Sequence, residues 1–203
     1  SIQDLFSRTV GRGFSPITTA DQIVEWEMFF DMNSSFAAQR AEKMDTKLAA
    51  TLLDLPFIRS TNPADRSLAT RNLRRGQSFL LPSGESVAKF MARPENEINF
   101  VLDRVHDNLG DYDIELKGGV PLWFYILAEA EEIGRVDHDK NFPGEGLGPV
   151  GGRIVAEVLI GLLELDPRSY LGSNRDWEPH LSAVPGQFCM KDLLEKAETA
   201  VVA

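Results

Sequence analysis

The segment Ser67–Met91, SLATRNLRRGQSFLLPSGESVAKFM, decides the predicted fold of this chain. Its first half is basic, an apolar patch follows at residues 79–81, and a second helical pattern comes after the patch. Spacings of four and three residues put Leu68, Asn72 and Arg75 on one helix face. That face would carry an apolar side chain, a neutral amide and a guanidinium, which suits a buried planar ligand with acidic edges. The alternative from spacing alone is a solvated basic helix with an ordinary loop after it.

Several blocks of the chain follow one another in an order that is specific to a family. Residues 71–76 read RNLRRG and residues 81–88 read LPSGESVA, while DTKL comes before them at 45–48. PLWFY follows at 121–125, and LGPVGGRIVAEV follows at 147–158. In this order the blocks resemble the animal-type haem peroxidase superfamily (myeloperoxidase-like, bacterial branch). The resemblance covers the chain from about residue 20 to its C-terminus and begins shortly after the family's proximal histidine.

The resemblance implies an all-α, multi-helical haem peroxidase-like catalytic domain, of which residues 1–203 form the C-terminal portion as a single domain. It implies haem b as cofactor, hydrogen peroxide as substrate and a small electron donor. Asn72 matches the residue that accepts a hydrogen bond from the proximal histidine, a contact that sets the ligand's tautomer and electron donation. Arg75 matches the residue that pairs with a haem propionate through two charge-assisted hydrogen bonds. Leu68 would line the proximal wall.

The histidines that the family's chemistry needs cannot be assigned in this chain. His106, His138 and His180 lie in charged or polar contexts, and we expect them to be surface residues. The resemblance therefore implies that an N-terminal chain of the same domain supplies the histidines, the calcium ligands and any covalent haem links. A start at Ser1 fits a processed or nicked product.

Two other functions stay open at this point. One is a haem-dependent fatty-acid dioxygenase, a relative with the same haem contacts and a tyrosyl radical. The other is a catalytically inactive helical interaction module that kept the fold and lost the histidines. The sequence preceding Ser1 would separate the three, because each predicts a different set of histidine and tyrosine residues there.

Composition narrows the class of protein. The net charge of -10 and the pI near 4.8 disfavour a nucleic-acid partner, because phosphate binding needs a cationic surface. No apolar run reaches the roughly 18 residues of a transmembrane segment. The single Cys189 excludes an intramolecular disulfide framework, and its apolar neighbours favour a small core side chain. The compartment stays unknown, although the family has secreted or periplasmic members.

The coarse pattern predicts helices and no strand. The predicted helices cover residues 2–9, 20–32, 48–53, 62–76, 83–93, 97–108, 121–133, 149–165, 168–171 and 190–200. Apolar side chains of the second helix and of residues 154–165 are expected in the core, and Glu129, Glu131 and Glu132 are expected on a solvent-exposed face.

Residues 137–141 resemble the start of a calcium-binding loop, but Phe142 stands where glycine is needed, so no calcium site is predicted there. Four glycines in 146–152 are expected to allow close helix packing.

Overall fold

Helices dominate the part of the chain that the structure describes. The computed structural model describes residues 24–32, 35–110, 112, 114, 116–182 and 184–201. Its helices are α1 Ala50–Leu53, α2 Pro63–Arg66, α3 Leu68–Ser78, α4 Gly84–Phe90, α5 Glu95–Leu109, α6 Leu122–Glu132, α7 Pro149–Leu165, α8 Tyr170–Ser173 and α9 Met190–Val201. Its strands are β1 Arg135–Asp137 and β2 Lys140–Phe142, and a 3₁₀ turn covers Trp26–Met28. The predicted all-α class is confirmed at this coarse level.

The core lies among α4, α5, α6 and the first turn of α7. On α5 the buried residues are Ile98, Val101 and Val105, spaced by three and four, so one stripe of the helix is apolar. Tyr125 and Ala128 of α6 pack against this stripe in the same cluster. This arrangement brings the start of α6 next to the segment that follows α3.

Gly84 sets the distance between α4 and α6. It is buried at the first position of α4, and an added Cβ would overlap the Cβ and Cγ atoms of Tyr125. Ser83 caps α4 by accepting a hydrogen bond from Ser86 N at 3.4 Å. The Pro-Ser-Gly run therefore combines a helix start with a close helix contact.

A short hairpin lies in the loop between α6 and α7. Strands β1 and β2 pair antiparallel, with Arg135 opposite Phe142. The two turn residues, His138 and Asp139, have φ values of 46° and 63°, in the left-handed region that two-residue hairpin turns use. The prediction of no strand is wrong here, because three-residue strands are too short to show an alternating pattern.

The described residues fall into two compact units. One is Lys43–Val158, and the other comprises the described parts of residues 8–42 and 159–203. The single-domain organisation of residues 1–203 stays a prediction. The site described below lies within Lys43–Val158.

The predicted helix over 20–32 is wrong for its described residues. Only the 3₁₀ turn Trp26–Met28 forms, and Val24, Trp26 and Phe29 are 48%, 42% and 64% exposed rather than buried. An amphipathic pattern stabilises a helix mainly when its apolar face packs against another element. The predicted helix over 2–9 lies outside the described residues.

The predicted Arg-rich helix over 62–76 is two helices. Asn62 caps α2 through a 3.0 Å hydrogen bond from Ala64 N, and Ser67 has extended backbone angles between α2 and α3. The Ser67 hydroxyl accepts a hydrogen bond from Thr70 N at 3.3 Å and so starts α3 as a new helix. The restart fixes the rotation of α3, which then runs past Gly76 to Ser78.

Two predicted burials are also wrong. In α7 only Val150 and Gly151 are buried, whereas apolar side chains of the second half, such as Leu162 at 62%, are exposed. Cys189 is exposed, and its Sγ lies 3.0 Å from Asp192 Oδ2. Apolar neighbours in sequence do not bury a residue unless another element covers it.

Among the described residues, none of the helices combines the length and apolar content that crossing a bilayer requires.

Candidate functional site

Helix α3 places Asn72 and Arg75 in one cleft. The cleft has a volume of about 300 Å³, and both residues line it together with Leu73, Gly76 and Phe79 from the same helix and its end. The spacing of three residues puts Asn72 and Arg75 about one turn apart on neighbouring rows. The structure therefore brings together two of the three predicted site residues.

The opposite wall comes from the start of α6. Pro121, Leu122 and Trp123 line it, and Leu81 completes the lining. Backbone contacts hold this wall in place: Gly84 N donates to Val120 O at 2.8 Å. Both carboxylate oxygens of Glu85 accept a hydrogen bond from Val120 N, at 3.2 and 3.1 Å. These bonds join the segment after α3 to the start of α6, so the two walls are held by the same contacts.

The three arginines of α3 divide into two groups. Arg74 donates to Asp65 Oδ1 at 2.6 Å, and Arg71 donates to Asp65 O at 3.4 Å. Hydrogen bonds from Ser60 and Arg74 lower the pKa of the Asp65 carboxyl. Arg75, by contrast, forms no ion pair or side-chain hydrogen bond with any described residue. Helical phase accounts for this division, because Arg71 and Arg74 lie off the helix face that carries Asn72 and Arg75.

The Asn72 amide is likewise available to a ligand. It is half-buried and forms no side-chain hydrogen bond within the described residues. An amide with both a donor and an acceptor group normally finds partners when it is taken out of water. Beside Arg75, it offers an unused acceptor oxygen in the cleft.

The rim of the cleft exposes a large apolar surface. Phe79, Leu80 and Leu81 are 73%, 87% and 52% exposed, and we call these three residues the apolar rim. Leu80 also has a φ of 52°, and it ends α3 by donating its N–H to Gln77 O while Leu81 N donates to Gly76 O. Glycine usually occupies this left-handed position, and a leucine there costs about 1 kcal/mol. Exposed apolar patches of this kind often mark binding surfaces.

The remaining predicted site residues do not line the cleft. Leu68 is half-buried in the first turn of α3 and is absent from the lining. His106, His138 and His180 are exposed, as predicted, and none of them is a lining residue. Within the described residues, no group of three or more His, Cys, Asp or Glu side chains could hold a metal ion.

Glu129 is a buried group that the sequence analysis placed wrongly on a wet face. It is 1% exposed, and its carboxylate accepts hydrogen bonds from Val150 N at 3.0 Å and from Gly151 N at 3.1 Å. Burial raises the pKa of this carboxyl, and the two backbone donors act in the opposite direction. Helical phase was the available signal, because Glu129 lies four residues after the buried Tyr125. Its neighbours Glu131 and Glu132 are half-buried and lie near Arg104.

Comparison with known proteins adds no family. No protein-family model matches the chain, and neither the curated proteins nor the solved structures contain a significant match.

Proposed function

We propose that this chain forms the proximal-side wall of a haem site in a peroxidase. The main support is that the cleft holds the Asn72 amide and the Arg75 guanidinium side by side. Neither group is bonded to a described side chain. Apolar side chains surround the pair. This combination suits a planar apolar ligand that carries an acidic edge and an N–H donor, which is the chemistry of haem b with an imidazole ligand.

Asn72 would act on the iron's histidine ligand rather than on the iron. Its Oδ1 would accept the hydrogen bond that the Nδ1–H of the histidine donates. A neutral acceptor fixes the tautomer and ring plane of the imidazole and leaves it less anionic than a carboxylate acceptor would. Asn72 is therefore a positioning residue, and its loss should change the reduction potential more than the affinity for haem.

Arg75 would hold a propionate. Its guanidinium can donate two parallel hydrogen bonds to a carboxylate. Arg75 has no ion-pair partner among the described residues, and this supports the role because no ion pair within them has to be broken. Leu68 keeps the role of an apolar wall residue only as a prediction, since it does not line the cleft.

The proposal requires a second chain. None of the three histidines lines the cleft, so we propose that an N-terminal chain of the same domain supplies the histidine ligand. The apolar rim is the surface that such a chain would cover. Haem b, when bound, supplies the chemistry of peroxide reduction and of oxidation of a small electron donor. This chain would keep water away from the proximal side and orient the ligand.

The test is a haem titration of the chain, with imidazole added to replace the missing histidine. We expect a saturable Soret band, and Arg75→Ala should weaken haem binding about tenfold. Arg74→Ala is the matched control, because Arg74 already pairs with Asp65 and should leave the titration unchanged. Asn72→Ala should shift the midpoint potential of the bound haem with little loss of affinity.

Other outcomes would contradict the proposal. No saturable band, or equal losses in Arg75→Ala and Arg74→Ala, would mean that the cleft does not bind a propionate. The apolar rim would then favour the inactive interaction module. The dioxygenase relative stays an alternative, because the tyrosine that would distinguish it is expected close to the proximal histidine, which this chain does not supply.

A further inference from the structure

A second cleft in the unit Lys43–Val158 gathers three arginines from distant parts of the sequence. Arg93 lies between α4 and α5, Arg135 opens β1, and Arg153 lies near the start of α7. All three line a cleft of about 330 Å³, and no aspartate or glutamate is among its lining residues. In a chain with a net charge of -10, a concave surface lined by three guanidiniums and no carboxylate requires an explanation.

Each guanidinium is oriented by an ion pair with a carboxylate and keeps N–H donors that bind no described residue. Arg93 forms a two-point contact with Glu97, at 2.8 and 2.6 Å. Arg153 uses its Nε in a 2.6 Å bond to Glu157. A guanidinium has five N–H donors, so even the two-point contact leaves three of them unused. These contacts orient the groups without saturating them.

Arg135 is held from two directions. Its Nη1 donates to Asp137 at 3.2 Å, and its guanidinium carbon lies 4.2 Å from the centre of the Phe142 ring. Stacking on an aromatic face fixes the plane of a guanidinium while leaving its edges free to donate. The ion pairs of Arg135 and Arg153 are about half exposed, and such pairs add little stability, so an incoming anion can replace them.

The helix N-terminus does not supply the donors of this cleft. Gly148 and Pro149 line it, but the N–H groups of Val150 and Gly151 already donate to Glu129. The guanidiniums are therefore the anion-binding groups. Val136, Leu147 and Pro149 add an apolar part to the same lining.

From this arrangement we infer that the three-arginine cleft binds a phosphate monoester that carries a small apolar group. One guanidinium satisfies a carboxylate through its two oxygens, whereas three guanidiniums match the several oxygens of a tetrahedral phosphate. The apolar lining residues would contact the organic group. The inference is independent of the haem proposal, because none of these residues lines the first cleft.

The probe is phenyl phosphate, measured by isothermal titration calorimetry on the whole chain, with phenylacetate and inorganic phosphate as comparisons. We expect saturable binding of phenyl phosphate, weakened about tenfold or more by Arg135→Ala and by Arg153→Ala. Phenylacetate should bind more weakly because it has only two oxygens. Inorganic phosphate should also bind more weakly because it lacks the apolar group.

Two further variants separate the site from general charge and from misfolding. Arg168→Ala is the charge control, since Arg168 is 93% exposed and does not line the cleft. Gly152→Met should block the cleft without harming α7, because an added Cβ there meets only Leu147 atoms, at 3.7 and 3.9 Å. We expect Gly152→Met to lose binding with an unchanged melting temperature, and Arg168→Ala to bind normally.

Several outcomes would overturn the inference. The first is no saturable heat with phenyl phosphate up to about 10 mM. The second is equal weakening in Arg168→Ala, which would mean non-specific attraction. The third is binding of phenylacetate as tight as that of phenyl phosphate, which would rule out a tetrahedral site. Normal binding by a folded Gly152→Met variant would show that the ligand binds elsewhere.

Discussion

Replacement of Glu129 by alanine should destabilise the chain strongly, although the residue lies in a run of acidic side chains that looks solvated. In the fold its carboxylate is 1% exposed and accepts hydrogen bonds from two backbone N–H groups at the start of α7. A hydrogen bond to a charged group contributes about 1.5–3 kcal/mol, so two contribute about 3–6 kcal/mol. Removing a buried charge recovers part of this, because the carboxylate no longer has to be desolvated. We expect a net loss of about 3 kcal/mol.

The assay is urea unfolding followed by circular dichroism. With a slope of about 2–3 kcal/mol per molar urea, the midpoint should fall by about 1 M in Glu129→Ala. Glu145→Ala is the matched control, because Glu145 is exposed and its side chain has no hydrogen-bond partner among the described residues. Equal midpoints for Glu129→Ala and Glu145→Ala would refute the view that the carboxylate holds the start of α7.

The pH dependence gives the same residue a second test. Burial raises the folded-state pKa of Glu129 above its ordinary value of 4.5, so the folded chain keeps a proton that the unfolded chain releases. The part of the stability that comes from this pKa shift is therefore fully present below pH 4.5 and is lost as the pH rises through the folded-state pKa. The stability difference between wild type and Glu129→Gln should shrink with rising pH in this window, by at most about 1.4 kcal/mol per pH unit. A difference that grows with pH would reverse the sign and contradict the argument.

Glycine replacements and a helix cap offer further tests by urea unfolding. Gly84→Ala should cost about 2 kcal/mol or more because the added Cβ meets Tyr125, whereas Gly161→Ala, with open space around it, should stabilise α7 by up to about 1 kcal/mol. Equal effects of the two changes would argue against the close contact at Gly84. Asn62→Ala should cost about 1 kcal/mol by removing the acceptor for Ala64 N, and Asn62→Asp should restore it. An alanine variant as stable as the aspartate variant would mean that this cap adds nothing.

The first cleft was predictable as far as it depends on α3 alone. The spacing of Asn72 and Arg75 follows from helix geometry, and the same geometry turns Arg74 toward Asp65 instead. The cleft itself was not predictable, because its second wall comes from residues 121–123, about 50 positions further along the chain. Leu68 has the spacing of the same helix face, yet it lies in the first turn of α3 and does not line the cleft.

The burial of Glu129 and the formation of the three-arginine cleft could not be predicted from local sequence patterns. Glu129 stands beside two other acidic residues, and only its contact with residues 150 and 151 explains its burial. Arg93, Arg135 and Arg153 are spread over about 60 positions, so no local spacing connects them. The second half of α7 is the opposite case: its apolar sequence predicted burial, but no described element covers it and it is exposed.

By itself the sequence determined where most of the described helices begin and end, since caps, prolines and three- or four-residue spacings act within a few positions of each other. The tertiary structure alone decided which faces of those helices are buried and which charged groups meet. Burial and pairing depend on atoms that are distant along the chain. The contact between Glu129 and the start of α7, across about 20 positions, is a property of the packed fold that no local pattern contains.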